Sequence, residues 1–165
     1  VVNDTCESSV PGVYAVGDVN GGPQFTYISL DDFRIVFGAL TGNSQYTLKD
    51  RKNIPYTTFL TPPLSRVGLT EEDAINQGYT VKTKEMLVAT MPRAHVNDYL
   101  KGAFKIVVDA DNDLILGATL YSQGAEELIN LIKMAMDNNI PYTYFKNQIF
   151  THPTMAENLN DLCNF

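Results

Sequence analysis

Hydrophobic positions along the chain change period several times, and each change marks an element. Val13-Tyr14-Ala15-Val16-Gly17-Asp18 is a short apolar run ending in Gly-Asp, set off by the turn residues Ser9-Val10-Pro11-Gly12; it reads as a buried strand. Asn20-Gly21-Gly22-Pro23 is a loop. From Thr26 to about Leu40, Ile28, Phe33, Ile35, Val36, Phe37 and Leu40 give a helix with a broad apolar face, stopped by Gly42-Asn43. Residues 43–54 are polar and aperiodic and read as a linker between two units.

Beyond it, Pro55–Leu60 is extended and a strand is expected around Arg66–Leu69. Thr70 followed by Glu71-Glu72-Asp73 is an N-cap with acids in the first turn, opening a short helix that ends at Gly78. Three strands follow, about Thr80–Leu87, Ala103–Asp109 and Leu114–Tyr121, the last two joined by the turn Ala110-Asp111-Asn112-Asp113. Ala125–Asn138 is the longest helix of this part. Its apolar stripe is too wide for one surface, so it should be buried or pressed against a partner. A helical turn is expected at 142–147 and a last helix over 154–162, with Pro153 in its first turn. The fold class is therefore α+β: an antiparallel sheet with helices, preceded by a strand-helix tail.

Composition narrows the function classes. The 165 residues carry 19 acids against 12 bases, a net charge of −7. That opposes a nucleic-acid surface, which needs a basic excess. No apolar run approaches the roughly 20 residues that span a bilayer, so no membrane partner is expected. Cys6 and Cys163 stand at opposite ends with no metal-ligand spacing, so no metal site is expected; sparse cysteine fits a reducing, cytoplasmic setting. The first residue is Val1, consistent with a segment of a longer protein.

Candidate chemistry lies in Thr151-His152-Pro153-Thr154-Met155-Ala156-Glu157. A histidine exchanges protons near neutral pH, and a carboxylate nearby can set its tautomer. The proline restricts the backbone beside it. By spacing alone, a single histidine near a glutamate is more often an ordinary surface or helix-end residue.

Val13-Tyr14-Ala15-Val16-Gly17-Asp18 resembles the flavin-binding Asp motif of the pyridine nucleotide–disulfide oxidoreductases, the family of glutathione reductase, lipoamide dehydrogenase and mercuric reductase. Pro55–Phe59, Arg66-Val67-Gly68-Leu69-Thr70-Glu71, Ala125-Glu126-Glu127 and His152-Pro153 with Glu157 resemble, in order, segments of that family's C-terminal dimerisation domain. The resemblance spans residues 5 to 163 and implies three parts: 1–43 as the end of an FAD-binding domain, 44–54 as linker, and 55–165 as interface domain. It implies that Gly17 and Asp18 meet the ribityl chain of FAD and that the helix N-terminus at Thr26 faces the flavin pyrimidine. It implies a homodimer in which His152, oriented by Glu157, serves the partner subunit's flavin and redox cysteines as acid and base. NADPH or NADH would be the co-substrate, with FAD- and NAD-binding domains elsewhere in the same parent chain. Gly-rich nucleotide loops and a CxxxxC pair are absent here, so this segment alone is expected to be inactive. A non-catalytic dimerisation or binding module is the alternative.

Met91-Pro92-Arg93-Ala94-His95 is similar to a loop of bacterial reductases linked to reactive chlorine species, hypothiocyanous acid or copper(II) defence, and Leu120–Glu127 supports the same branch. His95 is a candidate to touch substrate or metal, or simply an exposed loop residue. Mercuric reductases carry a C-terminal cysteine pair, whereas this chain has Cys163 alone, which opposes mercury handling by that route.

Overall fold

The computed structural model describes all residues, 1–165, and its internal contacts divide the chain into Val1–Lys52 and Asn53–Phe165. In the N-terminal unit the helix α1 runs Thr26–Leu40, as its periodicity predicts. The strand expected at 13–18 does not form. That segment makes one isolated bridge, Glu7 to Tyr14, and then a 3-10 turn at Gly17–Asn20. A strand needs a continuous ladder on at least one side, and this unit supplies only single bridges. Val13 and Val16 are accordingly exposed rather than buried. The polar stretch after α1 is also more structured than its composition suggests: Leu48–Asp50 is a 3-10 turn capped by Thr47, and Arg51 is tied to α1 by ion pairs.

The C-terminal unit is built on a five-stranded antiparallel sheet of order β1-β2-β5-β4-β3. The strands are β1 Tyr56–Thr58, β2 Leu64–Gly68, β3 Val81–Leu87, β4 Ala103–Asp109 and β5 Ile115–Tyr121. Register follows the alternation of side chains: Phe104 pairs with Leu120, Ile106 with Ala118, and Val67 with Ala118, so these residues share one face. A register shift at Val107/Val108 precedes the turn. There Asp109 accepts hydrogen bonds from the Asp111 amide (2.9 Å) and the Asn112 side chain (2.8 Å). Gly117 stands where β5 runs close against the end of β2: a Cβ there would lie 2.1 Å from the Leu69 carbonyl oxygen.

Helix α4, Ala125–Asp137, covers the face of Phe104, Ile106 and Leu120 with Leu128, Ile129, Ile132 and Ala135, all buried. Its wide stripe is thus largely satisfied by the chain's own sheet; Met134 alone among the stripe residues stays well exposed. The helix by itself therefore gives no argument for a second copy. The other helices are α2 Glu71–Asn76, α3 Pro92–Val96, α5 Tyr142–Asn147 and α6 Asn158–Leu162. In α2 the Thr70 cap forms as expected, with Asp73 N donating to Thr70 Oγ1 at 3.0 Å and Thr70 Oγ1 donating to the Asp73 carboxylate at 2.6 Å.

Two helices depart from the sequence reading. Residues 91–95, expected as loop, lie largely in α3, and Met91 and Ala94 are buried in the core. Pro92 at its first position was the available signal. The last helix begins at Asn158, not near Thr154. Residues 154–157 instead make tighter turns, with the Asn158 and Leu159 amides donating to Met155 and Ala156 carbonyls three residues back. Pro153 therefore lies outside the helix, after a cis His152–Pro153 bond.

Candidate functional site

The His152–Glu157 turn is held from both sides. Before it, Thr151 accepts a hydrogen bond from Thr154 Oγ1 (2.8 Å), and that same oxygen accepts from the Glu157 amide (3.2 Å). After it, α6 plants Leu159, Leu162 and Cys163 in the core. The Asn158 side chain, nearly buried, donates to the Thr154 and Met155 carbonyls, and Asn160 donates to the Phe145 and Gln148 carbonyls. The backbone carrying the pair is therefore fixed by hydrogen bonds and burial together.

Within that frame His152 Nδ1 lies 2.9 Å from Glu157 Oε2 and 3.1 Å from Oε1. The carboxylate is mostly covered, 15% exposed, whereas the imidazole is 71% exposed. An ionised carboxylate only accepts, so the Nδ1 facing it is the donor, and in a neutral ring the lone pair is then on Nε2. This is the arrangement in which an imidazole is oriented by an acid and free to accept a proton at its far nitrogen. The grooves along the sheet, one lined by Arg66, Lys105 and Thr119 and another by Tyr79, Asp109 and Met136, include neither residue. The His152 imidazole projects from the surface of the domain and not into these grooves, with Glu157 covered beneath it.

The other predicted residues lie in the N-terminal unit. Gly17 is buried with φ +70°, a conformation that suits glycine, and a Cβ there would meet Ser29 Oγ at 2.6 Å. Asp18, next along the 3-10 turn, is exposed. Thr26 opens α1. Its amide and that of Tyr27 precede the first acceptors a helix provides, so they are open to an external oxygen. An exposed carboxylate and free helix amides in one small unit match the donor and acceptor needs of sugar hydroxyls and a pyrimidine edge.

Sequence reasoning overlooked one cluster here. Asp32 is fully buried on α1, where Ile28, Asp32 and Ile35 share a face. Its Oδ2 accepts from the Gly17 amide at 2.7 Å and from Asn20 Nδ2 at 2.8 Å, and its Oδ1 meets the Arg51 guanidinium at 2.5 Å. Arg51 also pairs with Asp31 at 2.8 Å. Burial works against the Arg51 charge, but the hydrogen bonds to Asp32 and Asp31 outweigh it and hold the guanidinium protonated. The signal was present as a charged residue inside an apolar stripe.

His95 lies in α3 with Nε2 2.8 Å from the Ala89 carbonyl oxygen, an ordinary tie of a helix to the preceding turn. Cys6 and Cys163 are both free thiols and both buried. No helix is long and apolar enough to cross a membrane.

Comparison with known proteins gives the family and the fold. Residues 54–163 match the family described as pyridine nucleotide-disulphide oxidoreductase, dimerisation domain. The chain is 48% identical over 162 residues to the probable pyridine nucleotide-disulfide oxidoreductase RclA of Escherichia coli K12, a match covering 98% of this chain and 37% of that protein. It is 34% identical to a mercuric reductase of Lysinibacillus sphaericus, covering 96% of this chain and 29% of the relative. The solved Cu(II) complex of the HOCl-induced flavoprotein disulfide reductase RclA from Escherichia coli superposes with a TM-score of 0.95 at 47% identity, over 99% of this chain and 37% of that one. The chain thus spans about a third of the length of these relatives.

Proposed function

The chain belongs to the pyridine nucleotide-disulphide oxidoreductase family, whose dimerisation domain it carries at residues 54–163, and from that premise we propose that it is the interface segment of an FAD-dependent, NAD(P)H-driven disulfide, oxidant or metal-ion reductase acting as a homodimer. On this reading residues 1–43 close an FAD-binding domain, 44–54 link it, and 55–165 form the interface. The observation that carries the reading is the His152–Glu157 pair, a surface imidazole bound through Nδ1 to a covered carboxylate at 2.9 Å. The imidazole faces away from this domain, where another domain or a second subunit can meet it, and the match to a dimerisation domain favours the second subunit.

Bound FAD would supply two-electron transfer between a nicotinamide and a redox cysteine pair. The work left to this chain is binding and proton handling. Asp18 would accept hydrogen bonds from ribityl hydroxyls, Gly17 would let the turn that carries it seat against Ser29 of α1, and the amides of the first turn of α1, from Thr26, would meet the pyrimidine edge. His152 takes a thiol proton on Nε2 as a thiolate forms, holds it while Glu157 balances the charge, and returns it when the product thiol leaves. The segment alone, lacking the cysteine pair and nucleotide loops, has no turnover.

The substrate class follows the relatives' descriptions, since one of them is named as HOCl-induced and was solved with Cu(II). The test is the visible spectrum of the full-length protein during anaerobic NAD(P)H titration. A long-wavelength thiolate-to-flavin band is expected. Bound flavin without that band would remove the thiol chemistry, and no flavin at all would leave a dimerisation module.

A further inference from the structure

We infer that Asp32, anchored by Arg51, is the residue that positions the Gly17–Asp18 turn for flavin binding. The inference rests on the proposed role of Asp18 and extends it to two side chains outside the motif.

A carboxylate on the inner face of a helix is costly unless both oxygens are hydrogen-bonded and the charge is balanced. Asp32 meets both conditions, and its donors are informative. The Gly17 amide precedes Asp18 directly, and Asn20 follows it by two residues, so two of the three donors bracket Asp18. The third, Arg51, supplies the balancing charge and shares it with Asp31. An aliphatic residue at position 32 would anchor α1 between Ile28 and Ile35 equally well. What it could not do is hold the amide of residue 17.

The turn needs holding. Gly17 is at positive φ, the 13–16 segment has no strand ladder, and Val16 and Asp18 on either side are exposed. Ser29 Oγ closes in where a Cβ on Gly17 would stand, so the turn is already seated against α1. Asp32 locks that seating with charge-assisted hydrogen bonds, which are shorter and more directional than neutral ones. The Asp18 carboxylate then leaves the turn in one direction instead of sampling several, which lowers the ordering cost when a sugar chain binds. Asp32 touches no ligand in this account; it is a positioning residue.

The experiment uses the full-length flavoprotein, stripped of FAD and titrated back with FAD by flavin fluorescence, in Asp18→Ala, Asp32→Ala and the double variant. Asp18→Ala and Asp32→Ala should each weaken FAD binding by tenfold or more. The double variant should bind about as weakly as Asp18→Ala alone, because a misplaced and an absent carboxylate are equivalent. Losses that multiply would make Asp32 a general scaffold residue and overturn the inference. Wild-type affinity in Asp32→Ala beside a weakened Asp18→Ala would overturn it while leaving the role of Asp18 intact. Wild-type affinity in Asp18→Ala would overturn the parent reading and this inference with it. Where Asp32→Ala does not fold, Asp32→Asn, which keeps one acceptor oxygen, answers the same question: intermediate weakening is expected, and unchanged affinity overturns the assignment.

Discussion

His152 Nδ1 and Glu157 Oε2 are 2.9 Å apart, and the acid is covered while the imidazole stands in solvent. The asymmetry is the useful part. A covered carboxylate is held in place and so fixes ring orientation, and within this segment the exposed imidazole bonds to no other side chain. His152→Ala in the full-length protein should slow the thiol half-reaction by about 10²–10⁴-fold, the usual worth of a placed general acid–base. Glu157→Gln should slow it less, since the amide still accepts from Nδ1 but no longer balances the imidazolium. Stopped-flow thiol–substrate kinetics measure both, and wild-type rates in His152→Ala would end the assignment.

Gly117→Ala should destabilise the C-terminal unit. The new Cβ would stand 2.1 Å from Leu69 O and 2.7 Å from Leu69 N, both backbone atoms in the β2–β5 seam. Neither can move without breaking the ladder, so a loss of at least about 2 kcal/mol is expected, with a thermal midpoint lower by roughly 10 °C. A melting curve superimposable on the wild type would contradict the close approach.

Stability should fall on acidification for an identifiable reason. Asp73 is held below its ordinary pKa by the Thr70 hydroxyl and then the Thr70 amide, and Asp109 by the Asn112 side chain and then the Asp111 amide. Asp50 is lowered in the same way by Thr47. Because each folded-state value lies below the unfolded one, their stabilisation is complete above the unfolded aspartate value of about 3.9 and is lost as pH drops through the folded values. Urea midpoints measured from pH 6 down to pH 2 should stay level with respect to these groups and then decline. Thr70→Ala should reduce the decline as well as the stability at neutral pH; an unaltered pH slope would discount the Thr70–Asp73 contribution.

Neither cysteine should react readily in the native chain. Burial pushes the Cys163 thiol up to about 12, against a small opposing pull from Lys84. Burial also raises Cys6, assisted by the negative charge of Asp32. Since the thiolate is the nucleophile, Cys163 at pH 8 should alkylate roughly a thousandfold more slowly than a free thiol. Mass spectrometry after iodoacetamide should show no labelling natively and two labels in denaturant. Prompt native labelling of Cys163 would mean that α6 is not seated in the core.

Much of the C-terminal unit was legible in its residues. The strand expected at about Ala103–Asp109 and the apolar stripe that includes Leu128, Ile129, Ile132 and Ala135 are written in local sequence, and the structure forms both elements. Thr70 with Asp73 is a complete local capping motif, so it was readable and it forms. The failures are of another kind. Val13–Gly17 has the composition of a strand, but strandedness is a property of a pair, and no ladder forms beside it. The start of α6 depends on how 154–157 turns before Asn158, where three-residue and four-residue hydrogen bonding compete closely.

The candidate site divides along the same line. His152 and Glu157 could be named from spacing and resemblance, because five residues of chain keep them within reach whatever the rest does. That one would be exposed and the other covered was decided by the anchoring of α6 through Leu159, Leu162 and Asn158. Asp32 and Arg51 lie 19 residues apart, and nothing between them announces a pairing. By itself the sequence determined periodicity, caps, turns and the identity of the chemistry-bearing residues, all of which are encoded within a few positions. Only tertiary structure decided which charge is buried with which, because that choice is made by desolvation and by the close approach of distant segments.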